Sequence, residues 1–256
     1  MTHETTSTRS NVHQYPRSFT PPHGIPAQHS ATIAPMPRGK ALAPNVVEHT
    51  GLVRHGAFGG PADEFREIRT RLLALAGAEN FVTLVVPVSS GSGGSYVARN
   101  LAAAFAFDEA RNTVLIDCNL RRPSQDGALG ISAAHGGLID YLEQPGRGIQ
   151  QVLYHTAIPR VQLIPAGAPR QWSIEYFASA RMSTLIDSLR ARGPNRYVFL
   201  DGPELKGSPD AAILSNLADF VVIVAAYGCD TAGAINRAVA GLDPKKIAGV
   251  VFNHPR

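Results

Sequence analysis

The run Phe81–Val88, Phe-Val-Thr-Leu-Val-Val-Pro-Val, constrains this chain more than any other segment. It is apolar nearly throughout instead of alternating, so a strand there has both faces covered. It feeds directly into Ser-Ser-Gly-Ser-Gly-Gly-Ser, residues 89–95, and then into a helical stretch, Tyr96–Phe107. A buried strand, a glycine-rich turn and a helix start together make an anion cradle. Backbone N–H groups converge on one point, and the helix dipole is positive there. Gly91, Ser92, Gly93, Gly94 and Ser95 are the candidate cradle residues. Taken alone, these residues read equally well as a flexible turn between strand and helix.

The rest of the chain repeats the strand-then-helix alternation. Ala62–Gly77 places Phe65, Ile68, Leu72 and Leu75 at helical spacing, with Gly77 as the stop. Apolar strands are expected at Thr113–Asp117, Val161–Ile164, Tyr197–Asp201, Phe220–Ala226 and Ile247–Phe252. Short helical pieces are expected at Leu138–Leu142 and Ile149–Tyr154, a long helix at Ile174–Arg192, and further helices at Ala211–Leu217 and Ala232–Leu242. Apolar strands alternating with helices predict an α/β fold, a mostly parallel sheet with helices on both faces.

Residues 1–60 read differently. Pro16, Pro21, Pro22, Pro26, Pro35, Pro37 and Pro44 interrupt every candidate element, and apolar residues are too sparse to offset the entropy of ordering. A disordered tail is expected over 1–60 and one folded domain over 61–256. The tail holds five Lys/Arg against two Asp/Glu, and the remainder 19 against 18, so the expected domain is nearly neutral. That argues against nucleic acid as a partner. Cys118 and Cys229 lie without metal-ligand spacing and offer no disulfide framework, which points to a reducing cytoplasm.

A common phosphate loop ends Gly-Lys-[Ser/Thr], with lysine on the outer phosphates and the hydroxyl on Mg²⁺. This chain has Gly93-Gly94-Ser95 there, so the glycine and the hydroxyl are present and the lysine is not. Two later strands end in acids, Asp117-Cys118-Asn119-Leu120-Arg121 and Asp201-Gly202-Pro203. Acids at the carboxyl ends of strands beside a phosphate loop are placed to hold Mg²⁺ or orient a water.

With those motifs the chain resembles the bacterial tyrosine kinases of capsule and exopolysaccharide loci, especially the autokinase-like proteins of exosortase-linked loci. Their fold is similar to the MinD/ParA group of P-loop ATPases. The resemblance covers roughly residues 61–256. It rests on Ser89–Ser95, on Asn100-Leu101-Ala102, on Asp117, Asn119 and Arg121, on Asp201 and Pro203, and on the stretch from Ser208 to Asn253. It implies ATP or ADP with Mg²⁺ as cofactor, Ser95 and Asp117 as metal ligands, and Asp117 and Asp201 as catalytic acids. It also implies Gly91–Ser95, Asn119 and Arg121 at the nucleotide. Asp63, Arg66 and Arg69 resemble the family's subunit-contact motif, which implies a homo- or hetero-oligomer. The implied partner is the cytoplasmic segment of a membrane polysaccharide co-polymerase. The implied place is the cytoplasm, at the inner membrane through that partner.

The departures from the family are chemical. Gly94 stands for lysine, Asn119 for the second aspartate of D-x-D, and the last tyrosine is Tyr227, with no counterpart of the family's tyrosine-rich tail. Losing the lysine charge removes stabilisation exactly where phosphoryl transfer builds negative charge, and Asn lacks the charge that binds Mg²⁺. These losses point to a degenerate, regulatory member. The alternative is an active ATP-dependent autokinase with a relocated cation. Lys206, Arg121 and Arg99 are the candidates; Lys206 reads rather as a solvated loop charge and Arg99 as a helix-surface charge, while Arg121 fits the family pattern. From sequence alone, Gly94→Lys is expected to restore phosphate affinity by itself.

Overall fold

The computed structural model describes residues 52, 60–77, 79–171, 173–191 and 196–254. The tail expected over 1–60 lies outside these, save Leu52 and Gly60. Leu52 is buried, within the same apolar cluster as Phe65 and Leu72.

The helices are α1 (Pro61–Ala76), α2 (Gly94–Phe105), α3 (Gln125–Leu129), α4 (Leu138–Glu143), α5 (Ile174–Phe177), α6 (Ala180–Ala191), α7 (Asp210–Leu217) and α8 (Ala232–Val239). The strands are β1 (Val82–Pro87), β2 (Asn112–Asp117), β3 (Tyr154–His155), β4 (Val161–Ile164), β5 (Arg196–Asp201), β6 (Phe220–Ala226) and β7 (Ile247–Asn253). They form one seven-stranded sheet in the order β3-β4-β2-β5-β1-β6-β7. Every pairing is parallel except β3 with β4.

The absence of alternation in β1 has its expected cause. Val82, Leu84 and Val86 point into one core with Leu138 of α4, Leu185 of α6 and Leu214 of α7. Phe81 and Val85 point into the other with Phe65 and Leu72 of α1 and Leu101 and Phe105 of α2. Side chains alternate across a strand, so covering both faces calls for apolar residues at nearly every position, Thr83 being the buried polar exception in β1. The α/β architecture with helices on both faces is therefore as expected.

Three elements differ from their expected form. Ile149–Tyr154 is a short 3-10 turn, Ile149–Gln151, leading into edge strand β3. The extended backbone there lets the Tyr154 hydroxyl donate to Gly136 O and accept the His135 N–H. The long helix expected from Ile174 breaks between α5 and α6. Ser179 Oγ donates to Tyr176 O and accepts the Met182 N–H, which ends one helix and caps the next. The expected end of that helix, Arg192, lies outside the described residues. Helix α3 was not foreseen, since five residues are too few to show a period.

Candidate functional site

Parallel strands place their carboxyl ends on one edge, and the candidate residues gather there. The loop leaves β1, and Gly91 and Gly93 take left-handed φ values of 86° and 88°. Glycine at 93 is doubly required, because a Cβ there would lie 2.0 Å from Asn253 Nδ2. That amide donates to Ser92 O at 3.0 Å. Asp230 holds the loop from below: it accepts Ser89 Oγ at 2.8 Å, Ser92 Oγ at 2.9 Å and Ala226 N–H at 2.7 Å. Burial works to raise the Asp230 carboxyl, but these three donors and the charge of Lys206 outweigh it and hold the group below its ordinary range. Neither Asp230 nor Asn253 was singled out from sequence, because both come from the far end of the chain.

Gly94 opens α2, where the lysine would stand. A Cβ on it would fall 2.6 Å from Pro87 Cδ and 2.9 Å from Pro87 Cγ. The proline ring therefore fills the space into which a side chain at 94 would start.

Asp117 and Asp201 end β2 and β5 and are paired in register, both fully buried. Asp117 Oδ1 accepts the Asn119 N–H, and Oδ2 accepts the N–H groups of Ser124 and Gln125 at 2.9 and 3.0 Å. Asn119 Oδ1 in turn accepts the Arg122 N–H, so the Asn119 side chain closes a turn. Gln125, at the start of α3, sits between the acids and α2. Its Nε2 donates to Asp201 Oδ2 at 2.6 Å and to Ser95 O at 3.0 Å. Its Oε1 accepts Arg99 Nη1 at 3.0 Å.

Arg99 is thus not the helix-surface charge expected from sequence but a residue only 8% exposed. The reason is helix geometry. Long side chains lean toward the helix N-terminus, so a residue one turn after Ser95 reaches back to the strand ends. Burial lowers the Arg99 guanidinium from its ordinary value, and the charges of Asp201, Tyr96 and Asp117 partly offset this. Burial, then the charge of Asp117, push the Asp201 carboxyl up to about 7. Burial raises Asp117 to about 6 against the N–H groups it accepts. Burial and the two neighbouring acids also raise the Cys118 thiol, which leaves it an inert core group.

The other candidate residues are dispersed. Arg121 pairs with buried Asp210 at 3.4 Å. Its neighbour Arg122, which sequence reasoning passed over, donates from Nη1 to Ser90 Oγ at 2.6 Å and from Nη2 to Glu204 at 2.8 Å. Lys206 is exposed, with its backbone N–H on Val88 O beside the loop. On α1, Arg66 pairs with Asp63. Arg69 turns inward, 4.0 Å from Asp108 and over the Phe105 ring.

A loop with two left-handed glycines and a helix start fits phosphate oxygens. The set around the acid pair does not fit Mg²⁺, which takes oxygen ligands and retained waters. Gln125 and Arg99 present N–H donors there, and both Asp117 oxygens already accept backbone N–H groups. Asp201 Oδ1 is the one oxygen of the pair that is buried without a hydrogen-bond partner.

A parallel sheet, a phosphate-loop turn at the end of β1 and acids at two neighbouring strand ends define a P-loop NTPase-like protein. MinD from Pyrococcus horikoshii, solved with Mg-ADP, shares the fold at TM-score 0.54 over 68% of this chain and 70% of its own, with 19% identity. The VpsO kinase domain matches at TM-score 0.67 over 76% of this chain and 96% of its own, with 24% identity. The tyrosine-protein kinase Wzc of Salmonella typhi is 32% identical over 206 residues, which is 77% of this chain. This chain is a homologue of the bacterial tyrosine kinases. It spans 28% of the length of that Wzc. No protein-family model matches it. No helix among the described residues is long and apolar enough to cross a membrane.

Proposed function

We propose that this chain is a tyrosine-kinase-like subunit without phosphoryl-transfer activity, which acts by docking. Its partner is the cytoplasmic segment of a membrane polysaccharide co-polymerase, which holds it in the cytoplasm at the inner membrane. Docking sets the length or export of an exopolysaccharide. The observation that carries the first half is Gly94 packed against Pro87, with no lysine and no room for one. Phosphoryl transfer rests on positioning and on charge around the transferred group, and removing one preorganised donor costs roughly 10²–10³ in rate. Homology to tyrosine kinases supports the second half.

The test incubates the purified chain with ATP and Mg²⁺ and probes for phosphotyrosine. The expected signal equals that of Asp201→Asn. Phosphotyrosine in the wild type that vanishes in Asp201→Asn sinks the reading. Co-purification with the co-polymerase segment from the same strain tests the docking. One observation favours the alternative of an active autokinase: Arg122 places a guanidinium on the phosphate loop at Ser90. In that case Arg122→Gln abolishes the phosphotyrosine signal.

Self-association through α1 belongs to the same proposal. Asp63 and Arg66 lie on the accessible side of the helix, while Arg69 is engaged by Phe105 and Asp108. Arg66→Glu is therefore the cleaner probe, because Arg66 and its partner Asp63 share the accessible side, whereas reversing Arg69 also breaks its contacts with Asp108 and Phe105. It is expected to lower the mass measured by light scattering if the wild type is a multimer. A multimer of unchanged mass removes α1 as the contact.

A further inference from the structure

We infer that Arg99 and Gln125 take the place of a divalent cation among Asp117, Asp201 and Ser95, so that any phosphate the loop holds is held without metal. The inference rests on the reading of residues 89–95 as a phosphate loop and not on the docking partner.

Three features of the cluster converge on this. First, the residues that would face the cation are already joined. Gln125 Nε2 bridges Asp201 Oδ2 and the Ser95 backbone carbonyl, and the Ser95 side chain, the group that would ligate the metal, is itself engaged by Asp201. Arg99 Nη1 reaches the same Ser95 O at 3.4 Å and the Gln125 amide at 3.0 Å. Second, the charge is supplied from within. A buried carboxylate pair needs a positive partner, and the Arg99 guanidinium is buried in the same cluster. Third, a cation entering here would find only Asp201 Oδ1, of the four oxygens of the pair, without a hydrogen-bond donor, and would set its charge against Arg99. Bringing two positive charges together is unfavourable.

The two residues divide the work. Gln125 is a positioning residue. Its own N–H is held on Asp117 Oδ2, which fixes the first residue of α3 and aims the side chain at Asp201. Arg99 supplies the charge through that amide. Among the described residues no group of three or more His, Cys, Asp or Glu side chains is placed to hold a metal ion.

The test is equilibrium dialysis of the full chain against Mn²⁺, used as a stand-in for Mg²⁺, with ADP present on both sides. Protein-bound manganese is the readout, and circular dichroism confirms folding. The wild type is expected to retain no excess manganese. Arg99→Gln keeps a hydrogen-bonding side chain and removes the charge. Gln125→Glu keeps the shape and replaces the N–H donor with a carboxylate. Each is expected to retain a stoichiometric excess. Excess manganese on the wild type that Asp201→Asn abolishes overturns the inference, and so does its absence from both folded variants. If Arg99→Gln does not fold, Gln125→Glu decides alone. Manganese on the wild type leaves the docking proposal standing, whereas that proposal falls by phosphotyrosine and not by metal.

Discussion

Gly94→Lys is expected to destabilise the protein and to leave ADP binding no tighter than in the wild type. A Cβ at 94 meets Pro87 Cδ at 2.6 Å and Cγ at 2.9 Å, and a proline ring on a buried strand has no flexible end to swing away. Overpacking of this kind costs about 1–3 kcal/mol. For a domain of this size each kcal/mol lowers Tm by roughly 2–4 °C. Pro87→Ala removes both near atoms and leaves the Cβ, at 3.2 Å, as the remaining neighbour. The double variant Pro87→Ala/Gly94→Lys is therefore the one expected to gain. An ammonium beside the outer phosphates makes charged hydrogen bonds of about 1.5–3 kcal/mol, which tightens ADP roughly 10- to 150-fold. Thermal melting and calorimetric titration of both variants decide it. Gly94→Lys alone with wild-type Tm and tighter ADP binding would mean that the ring does not block the site.

The acid pair makes stability fall as pH rises. Burial, then the charge of Asp117, carry Asp201 to about 7 from the ordinary 3.8. Asp117 follows to about 6, with burial again the main cause. In the unfolded chain both titrate at ordinary carboxylate values, so across this window the native state binds more protons than the unfolded state. Stability then decreases with rising pH, beginning near the unfolded value and ending above about 7. Arg99 balances one carboxylate, so the second ionisation of the pair is the costly one. The loss is on the order of a few kcal/mol. Asp201→Asn removes one of the two titrations and keeps an oxygen for Gln125 Nε2. It is expected to flatten the slope and to be more stable than the wild type at about pH 8. Urea midpoints at about pH 5 and about pH 8 for both proteins test this. A wild-type midpoint that climbs with pH, or an equal slope in Asp201→Asn, refutes it.

Much of the frame is written in local sequence. The nearly continuous apolar character of β1 and β6 required a sheet covered on both sides, and the structure has one. Gly77 marked the end of α1, and the glycines of 91–94 marked the loop before α2. The acids at the ends of β2 and β5 were legible because each closes an apolar run, and parallel registry then sets them side by side.

What the site does chemically was decided only by the tertiary structure. Gln125 lies 26 positions from Arg99 and 76 from Asp201, on a helix too short to announce itself. Asp230 and Asn253 close the phosphate loop from 141 and 161 positions away. Pro87 and Gly94 are near in sequence, yet only the tight return of the loop sets the ring against the Cα. Periodicity along the chain reports which face of an element is buried, because that depends on local geometry alone. Which side chain meets which across the sheet depends on register, on strand order and on the path of each loop. Those follow from packing the whole chain at once.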